Sequence, residues 1–134
     1  MRSPMLPSSQ PGIRERTFQF SCTLVNFCRE IETFSSVKSH VVIQLLKSGT
    51  SIGANVEEAK AAYSRREFAA KNSIALKEAR EALYWLRIMS ACKLASNDQI
   101  EALIDEAHQF VAILTAIVKT ARSRLKNETA NKMN

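Results

Sequence analysis

The side chains of this sequence that could do chemistry are few: His40, His108, three cysteines and scattered carboxylates. A di-metal carboxylate centre of the kind helical bundles hold needs two Glu-x-x-His motifs on facing helices and two further glutamates. Neither histidine follows a glutamate by three, and Asp105-x-x-His108 has the spacing only once. Neither has a nucleophile or an acid placed for general-base work. Cys22, Cys28 and Cys92 form no CxxC pair, have no flanking ligand histidines, and lack the partner a cysteine nucleophile needs. Gly49-Thr50-Ser51-Ile52-Gly53 follows no strand and lacks the Gly-Lys-Ser/Thr ending of a phosphate loop. These residues point away from an enzyme, a metal and a cofactor.

Two other patterns remain. Ser48, Ser51, Asn55 and Glu58 step by three and four beside the two glycines, forming one helical stripe. Their ordinary role is hydrogen bonding across a helix–helix or subunit contact; a ligand-binding row is the alternative. The second pattern is basic. Arg65 to Ser96 holds seven bases against three acids, four of the chain's net six positive charges. Within it Lys77, Arg80, Tyr84 and Arg87 fall on one stripe, with Arg66 near its start. Such a row can follow a phosphate backbone, with Tyr84 placed to stack on a base. It can equally be a solvated face with pairs such as Glu67–Lys71.

The elements that carry these rows are helices. All three prolines lie in the first eleven residues, so the rest of the chain has almost no helix breakers. Residues 1–13 are Pro/Ser-rich without periodicity and read as a disordered tail. A first helix is expected over about 14–34, with Phe20, Leu24, Phe27, Cys28 and Ile31 on one face. Ser36 is a candidate N-cap for a second helix over 37–63, whose buried stripe is Val41, Leu45, Gly49, Ile52, Val56 and Ala59. Gly49 and Gly53 each cost about 1 kcal/mol there against alanine, which close approach of a neighbouring backbone would offset. A break at Gly49 is the competing reading.

Ser64-Arg65-Arg66-Glu67 is a capping box opening a third helix over 65–94, in which Glu67 reaches back to the Ser64 amide. Its stripe is Phe68, Ala75, Ala79, Ala82, Leu86 and Met89. Ile74, Leu76, Leu83, Trp85 and Ile88 lie off that stripe, and so much apolar surface on more than one face from Leu83 onward favours self-association. A fourth helix over 97–126 follows Ser96, with Ile100, Leu103, Ile104, Ala107, Val111, Leu114, Val118 and Ala121 as its seam. Its acids come early and its bases, Lys119, Arg122, Arg124 and Lys126, late, as the macrodipole favours. Residues 127–134 should fray. Four such helices joined by short links give an all-α, antiparallel up-down-up-down four-helix bundle over 14–126.

A chain of 134 residues builds one core, and a net charge of +6 permits a polyanionic partner. No run approaches the roughly twenty apolar residues of a membrane span. The start lacks a signal-peptide core, and three unpaired cysteines, read as helix-packing residues, suit a reducing compartment. A cytoplasmic location is the expectation.

The run from Leu46 to Asn55, then Phe68 with Ser73-Ile74-Ala75-Leu76-Lys77-Glu78-Ala79, then Tyr84-Trp85-Leu86, resembles the signature of the bacterial four-helix bundles known as 23S rRNA intervening-sequence proteins. The resemblance extends from about Thr17 to Lys126 and includes the ILTAIVKTAR end of the last helix. It implies ring-shaped homopentamers, some encoded within insertions in large-subunit ribosomal RNA genes. A similar bundle is the accessory protein of diversity-generating retroelements, where a basic ring contacts nucleic acid and a reverse transcriptase. The resemblance brings no catalytic residues. It makes Ser51, Asn55, Glu58 and Trp85 helix-packing or subunit-interface positions, beside Gly49 and Gly53, which their own spacing already assigns to packing.

The reading that follows is a non-enzymatic homo-oligomer that binds RNA or DNA through Arg66, Lys77, Arg80, Tyr84 and Arg87. A protein–protein scaffold without a direct nucleic-acid role is the alternative.

Overall fold

Short polar links set the helix ends. Ser35, not Ser36, caps the second helix: its hydroxyl accepts from the Lys38 amide at 3.4 Å. At the next corner the Ser64 hydroxyl accepts from the Glu67 amide at 3.0 Å. The Glu67 carboxylate reaches back one residue further than expected, to the Tyr63 amide at 3.0 Å. A computed structural model describes residues 11–133 and contains four helices: α1 (Ile13–Glu30), α2 (Ser36–Lys60), α3 (Arg65–Ala91) and α4 (Asn97–Met133). The expected tail over 1–13 falls mostly outside the described residues.

Each boundary has a local cause. α1 stops at Glu30 rather than residue 34 because Ile31 turns extended and Glu32 accepts from the Phe34 amide. The β-branched and aromatic residues of Ile31-Glu32-Thr33-Phe34 have little helix propensity to resist this. α2 ends at Lys60 instead of residue 63 because the Glu67 bond draws Tyr63 into the corner. α3 ends at Ala91 in a Schellman motif: the Leu94 amide donates to the Met89 carbonyl at 3.0 Å and the Lys93 amide to that of Ser90 at 3.2 Å. Lys93 occupies the left-handed position, at φ 55°. α4 does not fray after Asn127. It continues to Met133 through a segment without proline or glycine, and Glu128 pairs with Arg65 and with Lys132, each at 3.6 Å.

Each helix packs antiparallel on its chain neighbour. Thr17 faces Gly53 while Leu24 faces Gly49. Glu58 meets Lys71 while His40 meets Trp85, and Ser73 meets Arg122 while Ser90 meets Glu101. The α1–α4 seam is the thinnest and is closed by Arg16, which bonds Glu106 and Gln109 and lies over the Phe110 ring.

α2 is unbroken at its glycines. A Cβ at residue 53 would stand 3.2 Å from the Thr17 carbonyl oxygen, so there the missing side chain admits a neighbouring backbone. At residue 49 it would stand 2.1 Å from Leu24 Cδ2, so there it admits a side chain. The α2 stripe is buried throughout. α4 adds Phe110, which sequence periodicity passed over; it is fully buried and packs edge-on against Phe20 at 5.2 Å. Phe68, expected in the core, is 39% exposed. It lies about one turn beyond the level where Arg14 pairs with Glu57, so α1 does not reach it.

Candidate nucleic-acid interface

α3 presents Arg66, Lys77, Arg80, Tyr84 and Arg87 to solvent. Arg66 shares the stripe but lies about 16 Å along the helix from Lys77. Lys77 and Arg80 do not stand alone. They form one wall of a groove of about 490 Å³ whose other wall is α4, with Lys119, Arg122 and Lys126. Ser73, Thr115 and Ser123 add hydroxyls, Leu76 and Val118 the apolar floor, and no acid lines the groove. Tyr84 and Arg87 continue the α3 wall beyond its end.

The groove's electrostatics follow from what is missing between its cations. Lys71, Arg14 and Arg65 each find a carboxylate. Among the described residues none of the five groove bases has one within 4.0 Å. Arg122 donates instead to the neutral Ser73 hydroxyl at 3.2 Å, which positions the guanidinium without cancelling its charge. Glu78, beside Lys77 in sequence, is half-buried on another face of α3. Burial, then Glu81, raises its pKa, while Lys77 and Lys47 pull the other way. Five unpaired positive charges on two packed helices repel one another and favour an anion between them. The α4 contribution is not evident from the sequence, where those bases also serve as a dipole complement. Their steps of three and four were the available signal.

Inside one chain, the remaining candidates contact their own helix or its neighbour. Gly49 and Gly53 are α1–α2 packing positions. Within one chain the polar stripe bonds mostly within its own helix rather than across a helix–helix contact. Ser48 donates to the Gln44 carbonyl at 2.9 Å, Ser51 to Lys47 at 2.7 Å and Asn55 to Ser51 at 2.8 Å. Only Glu58 crosses to another helix, meeting Lys71 at 2.8 Å, so Lys71 pairs there rather than with Glu67. Trp85 is half-buried; its Nε1 donates to Glu81 at 3.3 Å, and its ring lies 6.0 Å from His40 and 5.5 Å from Tyr84. Leu83 and Ile88 are likewise half-buried against the core, so this segment is less bare than its composition implied.

His108 and Asp105 are exposed on α4, and among the described residues no three His, Cys, Asp or Glu side chains gather as a metal site would require. Cys28 is buried and its thiol is pushed up to about 11 by desolvation. Cys22 is half-buried, and Cys92, expected to pack between helices, is exposed at the α3 C-terminus because the Schellman turn carries it outward. No helix of the described residues is long and apolar enough to cross a membrane.

The comparisons with known proteins agree with this architecture. No curated protein matches the sequence. The crystal structure of a protein of unknown function from the S23 ribosomal protein family of Bacteroides thetaiotaomicron VPI-5482 is similar, with a TM-score of 0.70 and 31% identity over 81% of this chain and 99% of that one. A family model, that of the 23S rRNA-intervening sequence protein, matches residues 13–116. Matched over most of its length, and folded as four packed helices, the chain belongs to the 23S rRNA-intervening sequence protein family.

Proposed function

We propose that this protein is a non-catalytic, homo-oligomeric bundle that binds RNA or DNA through the basic face of α3 and the groove it shares with α4. The groove carries the reading: five bases from two helices converge on one cleft with no lining acid. Phosphate contacts at such a site release counterions, so binding should fall steeply with salt. Family membership and the net charge of +6 support the same reading. Assembly into the ring that the sequence resemblance implies would repeat the groove once per subunit and add the fields of neighbours.

A protein–protein scaffold is the second reading. Phe18, Val25 and Ile43, each about half exposed on α1 and α2, are apolar surface a partner or a second subunit would cover. Light scattering coupled to size exclusion, with absorbance at 260 and 280 nm in low and then high salt, separates the two. The proposal predicts a species several times the 15.0 kDa chain, carrying nucleic acid that strips away in salt. A clean monomer without nucleic acid would contradict it. An oligomer that retains a defined protein partner after nuclease treatment would favour the scaffold.

A further inference from the structure

The groove has no ring among its lining residues, so it has nothing on which a base could stack. Its floor, Leu76 and Val118, is apolar, and its hydroxyls and cations suit phosphate oxygens. From Lys119 to Lys126 it runs about 10 Å along α4, and packed helix axes stand about 8–10 Å apart. A patch of that length suits a short run of phosphates on one strand. Beyond its end, one turn past Arg80 on the same stripe of α3, stands Tyr84, 56% exposed and braced by Trp85 at 5.5 Å. Arg87 follows on the next turn.

We infer that the groove and Tyr84 together form a seat for single-stranded nucleic acid, the five bases holding one strand's phosphates while Tyr84 stacks on an unpaired base. This deepens the nucleic-acid reading and rests on it. A strand that leaves the groove along α3 passes Tyr84 before it reaches Arg87. The faces of paired bases are already covered by their neighbours, so only an unpaired base can use that ring. Every base has such a face, which makes the seat selective for strandedness and indifferent to sequence. Three of the five cations, Lys119, Arg122 and Lys126, are supplied by α4.

Fluorescence anisotropy at fixed salt tests it, with a labelled twenty-nucleotide oligothymidine and a duplex of equal length, on the wild type, Tyr84→Ala and Tyr84→Phe. The expected result is about tenfold tighter binding of the single strand by the wild type. Tyr84→Ala should lose about tenfold on the single strand and nothing on the duplex, while Tyr84→Phe, which keeps the ring, binds as the wild type does. Equal affinity for both polymers, or no effect of Tyr84→Ala on the single strand, overturns the single-strand seat and leaves the nucleic-acid reading standing. Failure of the wild type to bind either polymer overturns that reading and the seat with it.

Discussion

Arg122 on α4 donates to the Ser73 hydroxyl on α3 at 3.2 Å, so a neutral side chain holds a cation at the seam of two helices. One of the five guanidinium donors is used and the charge remains. Elsewhere on the surface, cations at comparable seams are neutralised, as Lys71 is by Glu58 and Arg14 by Glu57. The convergence of five cations from two helices with no acid in the lining separates the α3–α4 groove from an ordinary charged face.

The two glycines of α2 should respond differently to the same change. Gly49→Ala is predicted to destabilise the protein by about 1–2 kcal/mol, because overpacking against buried Leu24 outweighs the helix propensity gained. In a Leu24→Ala background, which by itself costs about 2–5 kcal/mol, adding Gly49→Ala should be neutral or stabilising. Gly53→Ala has no such rescue, since its obstacle is the Thr17 backbone. Urea unfolding of the single and double variants measures this; an equal cost for Gly49→Ala in both backgrounds would refute the packing account.

Lys93 holds the left-handed position of the Schellman turn without being glycine. Lys93→Gly should therefore raise stability by about 0.5–1 kcal/mol, visible as a higher urea midpoint at unchanged m-value. A lower midpoint would mean that the turn is not strained.

The three thiols should separate by reactivity. At pH 8, iodoacetamide read by mass spectrometry should modify Cys92 first, Cys22 more slowly and Cys28 only on unfolding. The Cys28 thiol ionises near 9.0 when unfolded and near 11 when buried. Its contribution to stability is therefore complete below pH 9 and is lost as the pH rises toward about 11. A Cys28→Ala variant should show a flatter fall in stability across that window; an identical fall in both proteins would count against the shift.

Much of the bundle was legible in the sequence for physical reasons. Prolines confined to the start, apolar residues at steps of three and four, and Ser64 with Glu67 dictate helices and corners locally. What escaped depends on tertiary placement. Phe110 and Val111 are adjacent apolar residues, and only packing on Phe20 decides that Phe110 goes inward. Ser35 and Ser36 are equally good caps by composition, and the early end of α1 selects the first. The basic row was visible on α3, whereas the groove needs the rotation of α4 that sets Arg122 beside Ser73, which no single-helix pattern contains.

Whether α3 and α4 jointly form one anion site is tested most directly by the salt dependence of binding. Oligothymidine affinity should be measured from low to moderate salt for the wild type and for Lys119→Gln/Arg122→Gln/Lys126→Gln. These side chains are exposed, so circular dichroism should show an intact bundle. Each single-strand phosphate contact contributes about 0.7 to the slope of log affinity against log salt, so loss of three contacts should flatten it by about 2 and weaken binding at low salt. An unchanged slope and affinity in the triple variant would contradict the account and place any binding elsewhere on the bundle.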